Sequence, residues 1–264
     1  MRSTIVDRLG ITLILSLLVP SAAPAQTVDD VVRRYVEARG GLARLHAVQS
    51  LRLTGTLELP GVPPTAYVLE LKRPNKMRTE FTVEGQTGIQ AFDGRTAWKQ
   101  LPLPGEKPRP MEPDEAAEAR AQADVDMSPL VDAAAKGYTV HLEGRDRLPG
   151  GDTFKLLVQG KDGPPRTMYL DSRTHLVVET LDHRDVDGKS VEVVTEIGDY
   201  RTVGGLAFPH RLEVGPRDAP DQRQRLLLEK VEINPPLDDA IFSMPAAAPG
   251  RGAAPVRRNP AVLP

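Results

Sequence analysis

The feature that most constrains this chain is two-residue alternation of apolar and polar side chains, clearest from Arg166 to Val214. Met168 and Leu170 alternate with Thr167, Tyr169 and Asp171. After an Asp171–Thr174 turn, Leu176 and Val178 alternate with His175, Val177 and Glu179. Past Asp187-Gly188, Val191, Val193 and Ile197 share a face opposite Glu192 and Glu196. After Gly204-Gly205, Phe208, Leu212 and Val214 oppose Arg211 and Glu213. Successive side chains of a strand point to opposite faces, so this pattern, cut by Asp-Gly and Gly-Gly turns, specifies an antiparallel meander. No residue in it falls in a catalytic motif.

The same alternation occupies most of the remaining chain. Leu51, Leu53, Leu57 and Leu59 oppose Arg52, Thr54, Thr56 and Glu58; Tyr67, Leu69 and Leu71 oppose Glu70 and Lys72; Phe81 and Val83 follow Met77. A hairpin around Asp93-Gly94 leads to Trp98, the single tryptophan. Phe154, Leu156 and Val158 line up in a later strand, and Leu227, Val231 and Ile233 in the last. Consecutive strands without intervening helices argue against a parallel βαβ fold.

Helical signals are few. Thr27 is a suitable N-cap ahead of Asp29 and Asp30, and Gly40-Gly41 stops the helix that follows. Between the two β runs, after a proline-rich connection, Asp114–Val125 and Leu130–Lys136 read as a helical pair interrupted at Met127-Ser128-Pro129. The pair is only mildly amphipathic and reads as a lid over one sheet face rather than as core. About ten or eleven strands, one N-terminal helix and this pair make a single, mainly β, α+β domain: a strongly curved antiparallel sheet wrapped around helices.

Residues 1–25 have a short basic start, an apolar run from Leu9 to Val19 and a small-residue exit at Ala23-Pro24-Ala25. That layout is a secretory signal peptide cleaved before Gln26, and the apolar run is too short to span a bilayer. The expected organisation is signal peptide 1–25, half-barrel domain 26–245 and disordered Pro/Ala/Arg tail 246–264. The expected location is the periplasm.

A net charge of −2 gives no electrostatic case for nucleic acid. The chain has no cysteine, which excludes disulfides, thiol nucleophiles and thiolate metal sites. Aromatics are 4% of residues, so the apolar interior is mainly aliphatic. His46, His141, His175, His183 and His210 share no zinc-ligand spacing, and the acidic Asp182–Asp187 run lacks a calcium loop's ligand series. Serines have no nucleophile-elbow context and no glycine loop cradles phosphate. The residues thus point to no catalysis, no metal and no cofactor.

Several short stretches resemble the LolA/LolB-like family of outer-membrane lipoprotein-sorting proteins. They are Gly40-Gly41 with Leu42, Leu45 and Val48; Phe92-Asp93-Gly94 leading to Trp98; Ser128-Pro129-Leu130-Val131 running to Lys136-Gly137-Tyr138; Tyr169-Leu170-Asp171 with Thr174-His175-Leu176; and Asp199-Tyr200-Arg201 before Gly205 and Phe208-Pro209. Together they cover most of residues 35–214 in order. The resemblance implies an incomplete antiparallel β-barrel of about eleven strands, closed by helices around an apolar cavity for acyl chains. The implied role is a non-enzymatic, monomeric periplasmic carrier of lipid or lipoprotein acyl chains toward the outer membrane, working with an inner- or outer-membrane partner protein. Alternation alone places Leu69, Phe81, Val83, Trp98, Phe154, Leu156, Met168, Leu170, Leu176, Val178, Val193 and Leu212 on the cavity wall. The alternative is an envelope protein-interaction module whose barrel is filled by its own side chains.

Overall fold

The structure, a computed structural model, describes residues 26–161, 164–186 and 189–245. The segments read as signal peptide and tail lie outside the described residues. Thirteen strands form one antiparallel sheet: β1 (Ser50–Leu59), β2 (Val62–Lys72), β3 (Lys76–Val83), β4 (Gln86–Phe92), β5 (Ala97–Gln100), β6 (Arg109–Pro110), β7 (Thr139–Leu148), β8 (Gly151–Gln159), β9 (Arg166–Asp171), β10 (Val177–Val186), β11 (Lys189–Val203), β12 (Leu206–Pro216) and β13 (Gln224–Ile233). Their order is β6-β5-β4-β3-β2-β1-β13-β12-β11-β10-β9-β8-β7, so two meanders meet where the last strand pairs with the first. The sheet does not close, because β6 and β7 are its edges. Of the two strands beyond the eleven expected, one is the two-residue β6, which lies inside the proline-rich connection.

Helix α1 (Val28–Ala38) is capped by the Thr27 side chain, which accepts from the Asp30 amide. It ends at Gly40 and Gly41, both at positive φ. A Cβ on Gly40 would lie 2.3 Å from the Gly205 carbonyl, so a glycine lets the helix end touch the β11–β12 turn. Short α2 (Leu42–Ala47) follows, and α3 (Pro113–Gln122) packs on β3, β4 and β5.

The expected second central helix does not form. Met127 and Asp132 sit at φ 52° and 53°, left-handed backbone that interrupts α-helical hydrogen bonding, and residues 129–137 are a run of turns. Nor is this segment a cover. Ala123, Val125, Leu130 and Val131 are buried in the main core.

The sheet curls around that core. The Arg184 guanidinium on β10 meets Glu118 on α3 at 2.8 Å. In a flat sheet β10 would stand six strands, roughly 29 Å, from β3 beneath α3. The helices and the 123–138 segment therefore sit on a concave inner face. A bulge between Thr54 and Gly55 re-aims β13, putting Leu226 and Leu228 inward and Leu227 outward, contrary to simple alternation. A Cβ on Gly55 would lie 2.0 Å from the Leu227 carbonyl, so the bulge depends on glycine there.

Candidate functional site: the open end of the concave face

The registers place five hairpin ends at one end of the sheet: β1–β2, β3–β4, β8–β9, β10–β11 and β12–β13. The opposite end is closed. There Val31, Tyr35, Leu45, Leu51, Leu53, Leu71, Leu130, Val131 and Phe208 are at most 2% exposed. Each such side chain contributes roughly 1.5–3 kcal/mol by leaving water. The closed end is also pinned by polar bonds. Arg39, 4% exposed, donates to the Ala207 carbonyl, the Tyr35 hydroxyl and the Asp126 carbonyl. The Asp126 carboxylate takes Arg73 at 2.6 Å and Lys136 at 2.8 Å. Burial pushes its pKa up, but the Lys136 and Arg73 bonds and charges outweigh burial, and the net shift is downward. The Tyr200 hydroxyl donates to the Val177 carbonyl, and burial pushes its pKa up.

The strands run on past this packed region. Leu57 and Leu59 on β1, Tyr67 and Leu69 on β2, and Phe81 and Val83 on β3 face inward and are half-buried. So are Val193 on β11, Leu212 and Val214 on β12, and Leu226 on β13. Phe81 lies over Gly88 of β4, where a Cβ would come within 2.6 Å of its ring. Together these side chains extend the apolar inner surface beyond the packed core, aliphatic apart from Tyr67 and Phe81. Helix α3 packs on β3, β4 and β5 and buries only Ala119. Lys99 pairs with Glu115, and Arg184 with Glu118, to hold it.

The outer face has the opposite character. Glu58, Arg225, Glu213 and Arg211 form an ionic run across β1, β13 and β12, with contacts of 2.7–3.1 Å. Arg223–Glu196 and Arg217–Glu192 continue it on and beside β11. This charged part of the outer face, across β1, β13, β12 and β11, offers no continuous apolar surface to an acyl chain, whereas the concave side does.

The twelve side chains expected on the wall divide into three groups. Leu69, Phe81, Val83, Val193 and Leu212 face inward beyond the packed core and are half-buried. Phe154, Leu156, Met168 and Leu170 face inward but lie in the closed core, at 0–4% exposure. The remaining three are elsewhere. Trp98 pairs with Ala91 on the outer face, where its indole N–H donates to the Phe242 carbonyl. A register shift between Val177 and Glu179 turns Val177 inward and leaves Val178 against the outer cluster of Tyr169, Leu181 and Val194. Leu176 precedes the strand, in the loop after the turn. Alternation could have found Leu57, Leu59, Tyr67 and Val214. Nothing local announced the bonds that tie Arg39 to Ala207 and Asp126, or Asp126 to Arg73, because these partners are distant in sequence.

Among the described residues no cluster of three or more His, Asp or Glu side chains is arranged to hold a metal. Nor, among them, is any helix long and apolar enough to cross a membrane. Asp182, in the acidic run, is paired with Arg166 at 2.6 Å.

No protein-family profile and no curated protein sequence matches the chain. In three dimensions it is similar to a domain named for outer membrane lipoprotein sorting from Vibrio parahaemolyticus. That match has 11% identity, covers 81% of this chain and 94% of that one, and has a TM-score of 0.53. A LolA superfamily protein from Nitrosomonas europaea aligns at 12% identity over 82% of this chain and 97% of that one, TM-score 0.53. A DUF1329 family protein from Desulfovibrio piger aligns at 13% identity over 83% and 98%, TM-score 0.57. The chain has the fold of LolA-type, lipoprotein-sorting structures, in agreement with the turn motifs of its sequence.

Proposed function

We propose that this protein is a non-enzymatic carrier that shelters acyl chains of a lipid or lipoprotein in the open trough of its concave face. The observation that carries the reading is the contrast between faces: half-buried aliphatic side chains inside, paired charges outside. An acyl chain in water costs about 0.8 kcal/mol per CH₂, so an apolar wall shelters it without any chemistry. The signal-peptide layout of residues 1–25 supports a periplasmic carrier, working between two membranes that lipids must reach through water. The names of two similar structures, lipoprotein sorting and LolA, agree with such a role. A membrane partner would present or accept the cargo at the mouth beside α3.

The packed closed end supports a second reading, an envelope interaction module filled by its own side chains. Native mass spectrometry and organic extraction of protein purified without detergent separate the two. The carrier retains lipid or takes up a fatty acid, and Phe81→Asp or Leu212→Asp abolishes uptake in a folded chain. A wild-type protein that neither holds nor takes up lipid is the interaction module instead.

A further inference from the structure

The outer face carries a feature that the acyl-carrier reading leaves unused. Beneath the strap formed by residues 234–245, a cavity of about 440 Å³ opens on the sheet, within the size range of small-molecule sites. Its floor takes one residue from each of five neighbouring strands: Arg52, Glu70, Arg78, Ile89 and Trp98. The strap is pinned on two sides. Lys72 Nζ donates to the Leu237 carbonyl and to Asp239 Oδ1, both at 2.7 Å, and Lys76 meets Asp239 at 2.7 Å. The Trp98 indole holds the Phe242 carbonyl at 2.8 Å, and Phe242 is fully buried. The walls of the cleft are thus fixed by protein contacts before any ligand arrives.

Its chemistry is mixed but balanced. Two guanidiniums, Arg52 and Arg78, share the lining with two carboxylates, Glu70 and Asp238. Bonds among the described residues engage Arg52 through Nε, Arg78 through Nη1, Glu70 through Oε1 and Asp238 through Oδ1. Among the described residues no further side-chain bond engages these four groups, and all four line the cleft. Glu70 is 7% exposed, so a ligand bringing one unbalanced charge beside it would leave that charge poorly solvated. A ligand carrying both charges avoids that cost, and Ile89, Trp98 and Ile241 offer an apolar surface next to them.

We propose that this cleft binds a small zwitterion with an apolar side group, of the class of the aliphatic α-amino acids. The carboxylate sits on Arg52 and Arg78, the ammonium on Glu70 and Asp238, and the side group against Trp98 and Ile241. Trp98 is the only tryptophan, so its fluorescence reports this cleft alone. L-leucine is titrated against 4-methylpentanoate, which lacks the ammonium, and L-leucinamide, which lacks the carboxylate. Saturable binding of L-leucine at millimolar concentration is expected, with both analogues at least tenfold weaker. Arg78→Gln and Glu70→Gln each weaken L-leucine by about tenfold or more, ~1.4 kcal/mol. Ile241→Ala, which leaves every charge pair in place, weakens it too and keeps the test open if a charge variant fails to fold. Phe81→Asp, which disables the inner trough, leaves L-leucine binding unchanged, so this site and the carrier function stand or fall separately. No saturable response by fluorescence or calorimetry, equal binding of either analogue, or wild-type affinity in the folded variants overturns the proposal.

Discussion

Asp126 shows how much of the closed end rests on single side chains. It is 3% exposed and joins Arg73, from the β2–β3 turn, to Lys136, from the end of the turn-rich segment. Its folded pKa lies below the ordinary 3.8, so it contributes stability that is complete above that value. The contribution is lost as pH falls through the folded pKa. Asp126→Asn is therefore expected to unfold more easily at neutral pH by about 1–3 kcal/mol. Its thermal midpoint should also fall less than the wild type's on acidification below pH ~4. Thermal melts of both proteins across pH check this, and parallel curves would mean that the ion cluster adds no net stability. In the sequence Asp126 was one acid among 36 acidic residues. Arg73 and Lys136 stand far from one another along the chain, and only the fold brings them together.

At the scale of elements, the strands were legible and the central cover was only half so. Alternation located both meanders because period two is a strong signal when one face is apolar. It failed where a bulge intervened, at Leu227 and at Val178, since one extra residue flips every side chain beyond it. The alanine-rich stretch beyond α3 had helical composition, but left-handed backbone at Met127 and Asp132 bends it into the core instead. What remains as a cover is α3, which buries one side chain and is tied by two ion pairs, Arg184–Glu118, exposed on both sides, and Lys99–Glu115, exposed at the carboxylate. Exposed pairs contribute at most about 1 kcal/mol each, so α3 is expected to open easily. Its amides should exchange with deuterium faster than those of β12 in the empty protein and slow when a fatty acid is bound. Exchange of α3 as slow as that of the central strands, with or without fatty acid, would exclude it as a cover that moves with loading.

For the whole molecule, one sheet with two unlike faces explains the division of labour. The inner face divides again, into a closed end packed by α1, α2 and the 123–138 segment and an open end with half-buried aliphatic walls. Sequence alternation gave inside against outside for most strands. It could not give packed against open, because that depends on where helices distant in sequence come to rest. Phe154, Leu156, Met168 and Leu170 belong to the closed end for this reason, while Phe81, Val193 and Leu212 remain at the open end. The most direct test of the trough is photo-crosslinking with a palmitic acid analogue bearing a diazirine on its chain, followed by peptide mapping. Crosslinks confined to inward residues of β1–β3 and β11–β13, and lost on competition with palmitate, are the predicted result. Crosslinks on the charged outer face, or none above a denatured control, would contradict an acyl-binding trough.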